Sequence, residues 1–152
     1  MAIKKPLWHP TLDQKILLKI SLIQNKDETI LLWEQWSSRN NISDIQNESY
    51  LLLQSAISNL LAQKVQLSPK IKNISRHTAV RNLIAIQTAQ QVAREFSKHK
   101  IPLFALKGLA LLLGDVYKHS NTRAMNDIDL YTNEKKKKKA LKILLSAGWS
   151  AD

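Results

Sequence analysis

The sequence predicts an α+β chain, with a helical region over residues 1–100 followed by a partial α/β core over residues 101–152 in the order strand, helix, strand, helix. Two observations carry this reading. All three glycines, Gly108, Gly114 and Gly148, lie in the last third of the chain. Apolar residues recur at helical spacing before about Ile101, whereas short apolar runs alternate with helical ones after it.

In the helical region, Thr11 follows Pro10 and can cap a helix whose residues Leu12, Ile16, Ile20 and Ile23 share one side. Asp27 can open a second helix that carries Ile30, Leu31, Trp33 and Trp36. The two tryptophans, at i and i+3, are read as core rather than as a stacking surface. A third helix is expected from about Asn47 through Leu53, Ile57, Leu60 and Leu61 to Val65, with Pro69 shortly beyond its end. A fourth is expected from about Ser75 to His99, presenting Val80, Leu83, Ile84, Val92 and Phe96, and Pro102 stops it because a residue before Pro avoids the α region.

Residues 102–106 form a short apolar run before Lys107-Gly108, which predicts a buried strand ending in a tight turn. Helical spacing returns over residues 109–117. Residues 126–131, Asn-Asp-Ile-Asp-Leu-Tyr, alternate polar and apolar and predict a second strand. Thr132-Asn133-Glu134 then supplies capping residues for a helix to about Ser146, with Gly148 just past its end.

Composition excludes several classes of function. With no Cys there is no disulfide, thiolate metal site or Cys nucleophile, so any metal must bind through oxygen or His. No apolar stretch reaches the roughly 20 residues that span a bilayer, and residues 1–10 lack the apolar core of a signal peptide. A cytoplasmic protein without a membrane partner is expected. The formal net charge is +11, from 23 Lys plus Arg against 12 Asp plus Glu, and residues 135–139 are five consecutive lysines. These lysines suit a polyanion, but a solvated Lys-rich run explains them as well.

Asp127 and Asp129 are the first candidates for chemistry. At i and i+2 of a strand they share a face, with Cα atoms about 6.5–7 Å apart, and their repulsion is relieved by a cation between them. Mg2+ suits such a pair, because it takes oxygen ligands, keeps several waters and is usually completed by substrate phosphates. Ile128 and Leu130 point the other way, into the core. Upstream, Gly108 lets the backbone approach a phosphate, and the N-terminus of the next helix offers N–H groups to an anion. Arg123, four residues before Asp127, adds a forked donor for phosphate oxygens. These parts together suit a nucleoside triphosphate with Mg2+. Tyr117 and His119, between the two motifs, are read as structural or solvent-exposed.

Leu106-Lys107-Gly108, then Tyr117, then Arg123-x-x-x-Asp127-Ile128-Asp129-Leu130, then a helix ending in Ser146-Ala147-Gly148-Trp149, resembles the uncharacterised nucleotidyltransferases of the DNA polymerase β-like superfamily. The motifs cover residues 101–149, and the preceding helices are similar in character to the helical region before that family's catalytic core. The resemblance implies that Gly108 lies at the triphosphate turn and that Lys107 and Arg123 are electrostatic clamps. It also implies that Asp127 and Asp129 hold divalent metal, Mg2+ or Mn2+. The activity implied is Mg2+-dependent transfer of a nucleoside monophosphate from a nucleoside triphosphate to an acceptor hydroxyl, on a protein, a nucleic acid or a small molecule. The superfamily carries a third acid on a later strand, and only Glu134 and Asp152 follow Asp129. The chain is therefore expected to be the front part of such a core, either a truncated product or one whose missing strands come from a partner chain, with slow or no turnover where they are lacking. The alternative is a non-catalytic basic module that binds nucleic acid or a partner. The two readings part at the Asp pair, which only catalysis requires.

Overall fold

A computed structural model describes residues 9–45, 47–117 and 121–150. The fold is α+β, and two compact units divide the chain. Asn121–Arg123 group with the residues up to His77, and Thr78 onward groups with the residues from Ala124.

The first unit is helical. Helix α1 (Leu12–Leu22) opens on a capping box, in which the Thr11 hydroxyl accepts from the Gln14 N–H at 3.2 Å and the Gln14 side chain accepts from the Thr11 N–H at 2.9 Å. Helix α2 (Lys26–Ser37) is capped by Asn25, ahead of the expected Asp27, because the Asn25 side chain already accepts from the Glu28 N–H. Helix α3 (Asn47–Ala62) packs against α1, and Asn59 donates to the carbonyls of Ile20 and Ile23 that α1 leaves open at its end. Ile16, Leu17, Ile20, Trp36, Leu53, Ile57 and Leu60 form the core. Trp33 stacks on Trp36 with centroids 5.4 Å apart, so the aromatic pair is core packing.

Helix α4 (Pro69–Lys98) begins six residues before the expected start. Pro69 is its first residue, a position that suits Pro because no intrahelical bond needs its missing N–H. Its buried residues are Ile71, Ser75, Thr78, Asn82, Ala89, Val92 and Phe96, at alternating spacings of three and four that leave room only for the half-buried Ala85. Val80, Leu83 and Ile84, expected in the core, are more than half exposed on another side. Polar residues hold the buried stripe there because they have bonds to make: Asn121 donates to Ser75, and Asn82 accepts from a backbone N–H.

The second unit has the expected order: β1 (Phe104–Ala105), α5 (Lys107–Leu113), β2 (Leu130–Tyr131) and α6 (Lys137–Ser146), the last preceded by a 3-10 turn capped by Asn133. The strands are antiparallel, with Phe104 opposite Tyr131 and Ala105 opposite Leu130. They are shorter than expected, and the first is buried on one face only. Ala105 and Leu130 pack inward with Leu109, Ala89, Met125 and Ile128, while Phe104 and Tyr131 stand exposed with rings 6.3 Å apart. A second cluster of Val92, Phe96, Ile101 and Ala140 seats α6. Among the described residues no helix is long and apolar enough to cross a membrane.

Candidate functional site

The site begins where β1 stops. The Leu106 N–H donates to the Asp129 carbonyl at 3.0 Å and so adds one rung to the ladder. The next residue, Lys107, has a φ of 47° and turns the chain into α5. A left-handed backbone at a residue with a side chain costs on the order of 1 kcal/mol and persists only where the surroundings hold it. The turn also explains why β2 is short, since beyond Leu106 no strand remains to pair with residues 127 and 128. Asp127 and Asp129 therefore lie just before β2 rather than within it.

The inward half of the expected alternation is present, with Ile128 and Leu130 both against the Leu109 and Met125 cluster. Asp127 is exposed, and the Asp129 side chain is 28% exposed, which leaves both carboxylates open to solvent. The Lys107 ammonium lies 2.9 Å from Asp129 Oδ1. That hydrogen bond and the Asp129 charge hold Lys107 above its ordinary lysine range, with a smaller pull from Asp127 and an opposing effect of desolvation. A cation is thus already favoured where the carboxylates stand, and here the ammonium of Lys107 meets that demand.

Gly108, the second residue of α5, is half-buried next to Lys107 in sequence. Arg123 is exposed and groups with the first unit, while Lys107, Gly108, Asp127 and Asp129 all belong to the second. Tyr117 is half-buried, and His119 lies outside the described residues. Residues 135–139 are all exposed, with Lys137 3.6 Å from Glu134.

Sequence reasoning missed Arg81 and Asn82. Arg81 donates to the Asn126 side chain at 3.1 Å, and fully buried Asn82 accepts from the Met125 N–H at 3.1 Å. Asn82 was detectable, since it falls on the three-and-four spacing that joins Ile71 to Phe96, where a polar residue needs a partner. Nothing in the sequence marks Arg81.

Two carboxylates give a divalent ion only part of its coordination shell. Among the described residues no group of three or more His, Cys, Asp or Glu side chains gathers to hold a metal. This donor set fits Mg2+, which takes one or two carboxylates and fills its remaining positions with water and substrate phosphate oxygens. It does not fit an ion that needs a closed protein cage.

A family model described as an uncharacterised nucleotidyltransferase matches residues 34–152, from within α2 through the whole second unit. No curated protein and no solved structure gives a significant match.

Proposed function

We propose a reaction for a chain that belongs to the family of uncharacterised nucleotidyltransferases: Mg2+-dependent transfer of a nucleoside monophosphate from a nucleoside triphosphate to an acceptor hydroxyl. The acceptor oxygen forms a bond to the α-phosphorus, the bond from that phosphorus to the β-phosphate oxygen breaks, and pyrophosphate leaves while the hydroxyl proton passes to solvent. The observation that carries this reading is the Lys107 ammonium 2.9 Å from Asp129, beside a second exposed carboxylate.

Asp127 and Asp129 hold Mg2+ or Mn2+, and the bound ion supplies positive charge to the triphosphate oxygens. Lys107, held against Asp129 at 2.9 Å, is the cation beside the metal ligands that would meet a phosphate oxygen. Gly108 leaves the turn free of a side chain next to that lysine. A protein, a nucleic acid and a small molecule all remain within the acceptor chemistry.

The test is to supply nucleoside triphosphates labelled at the α-phosphate together with Mg2+ and RNA, protein or small hydroxyl acceptors. Label transfer with equal pyrophosphate release is expected, reduced at least a hundredfold by Asp127→Asn or Asp129→Asn, in line with about 3 kcal/mol for losing a charge that stabilises the transition state. Transfer that survives both substitutions contradicts the assignment.

A further inference from the structure

We propose that Arg81 and Asn82, neighbours on α4, are positioning residues that set where the Asp127 and Asp129 carboxylates stand. This rests on the reading that the two carboxylates bind metal.

The acid segment has no secondary structure of its own between Met125 and Asp129, so something else must fix it. Its far end is fixed by the Leu106 N–H on the Asp129 carbonyl. Its near end is fixed by α4, where the Asn82 side chain accepts from the Met125 N–H at 3.1 Å. Asn82 has no exposed surface, and Met125 is itself buried, so this bond is sheltered from exchange with water. One residue closer to the acids, Arg81 donates to Asn126 Oδ1 at 3.1 Å on the exposed side. Met125 and Asn126 are thus tied to one rigid helix, and Asp127 is the next residue. A helix is a good reference frame for a metal site, because ligands supported from regular elements keep their geometry better than ligands on free loops. Partners outside the ligand shell commonly change metal affinity 10- to 100-fold when removed, through orientation alone.

Charge and positioning make opposite predictions here. Arg81 is a cation bonded to the residue just before Asp127, so as a bare charge it would disfavour a divalent ion at that segment, and its loss would tighten metal binding. As a positioning group, its loss loosens the segment and weakens metal binding. Variants that keep every charge isolate the second effect: Asn126→Ala removes the acceptor, and Arg81→Lys removes the guanidinium that reaches it.

The experiment titrates the full chain with Mn2+ and follows free Mn2+ by electron paramagnetic resonance. Thermal unfolding without metal is recorded in parallel. Asn126→Ala and Arg81→Lys are each expected to weaken Mn2+ binding by about 3- to 10-fold, the worth of one exposed hydrogen bond. The double variant should lose no more than the larger single effect, because both changes break the same bond. Unfolding temperatures should stay within about 2 °C of the parent, which separates positioning from loss of fold. Asn82→Ser, which shortens the buried acceptor, should weaken binding further wherever it folds.

Unchanged Mn2+ affinity in Asn126→Ala and Arg81→Lys, with binding still abolished by Asp127→Asn, overturns the positioning role and leaves the metal reading intact. A parent chain that does not bind Mn2+, or whose binding survives Asp127→Asn and Asp129→Asn together, overturns both.

Discussion

Lys64, Lys100 and Asp115 adopt the left-handed backbone that L-residues avoid, with φ values of 57°, 55° and 53°. Each ends a helix in the same way as Gly148, whose φ is 89°. In all four the next residue bonds back five positions: Val65 to Leu60, Ile101 to Phe96, Val116 to Leu111 and Trp149 to Leu144, at 3.0–3.1 Å. Only Gly148 announces its helix end in the sequence, because only there does the residue type match the backbone. At Lys100 the sequence pointed instead to Pro102, which lies four residues past Lys98, the last residue of α4. The three mismatched positions carry a cost of about 1–2 kcal/mol each, partly offset in a Gly variant by the greater freedom of its unfolded chain. Lys64→Gly is accordingly expected to stabilise the protein by about 0.5–1 kcal/mol, read as a rise of about 1–4 °C in the thermal unfolding midpoint. A lower midpoint would mean that the Lys64 side chain contributes more than its backbone costs.

At the scale of elements, α4 shows how hydrophobicity alone misplaces a face. Val80, Leu83 and Ile84 are among the most apolar residues of its middle turns, and a reading by apolarity puts them inside. The buried stripe instead runs through Ser75, Thr78 and Asn82, because that side of the helix meets backbone and side-chain groups that need partners. Leu83→Gln should therefore change stability by less than about 0.5 kcal/mol, as exposed substitutions do, whereas a core leucine replaced by a polar residue loses several kcal/mol. Chemical denaturation distinguishes the two. The strands misled in a different way. Alternation over residues 126–131 was legible and correctly sent Ile128 and Leu130 inward, but strand length depends on a partner, and the Lys107 turn removes the partner after Leu106. The carboxylates consequently depend on α4 as well as on the sheet, a dependence between distant stretches of chain that no local pattern encodes.

For the molecule as a whole, the order strand, helix, strand, helix and the identity of the family were legible, because both rest on short motifs whose residue types are dictated locally. The grouping of Arg123 with the first unit was not, since four residues of spacing fix neither direction nor neighbours. Charge is the other property of the whole chain. Residues 135–139 supply five of the +11 charges and are exposed throughout. If they bind a nucleic acid acceptor, replacing all five with Gln should flatten the dependence of log affinity on log salt by about 0.7–0.9 for each phosphate that a lysine no longer neutralises. An unchanged slope, measured by titration of labelled RNA at several salt concentrations, makes them a solvated face.

If Asp127 and Asp129 form a Mg2+-dependent nucleotide site, the thermal unfolding midpoint must respond to nucleotide and metal together. Each nucleoside triphosphate is added with and without Mg2+, to the parent chain and to the Asp127→Asn, Asp129→Asn double variant. A nucleotide at a hundred times its dissociation constant stabilises by about 2.7 kcal/mol, a rise of roughly 5–10 °C at this chain length. That rise is expected for at least one nucleoside triphosphate, only with Mg2+ and only in the parent. A rise of the same size in the double variant, or one that does not need the metal, would contradict the assignment of the two carboxylates.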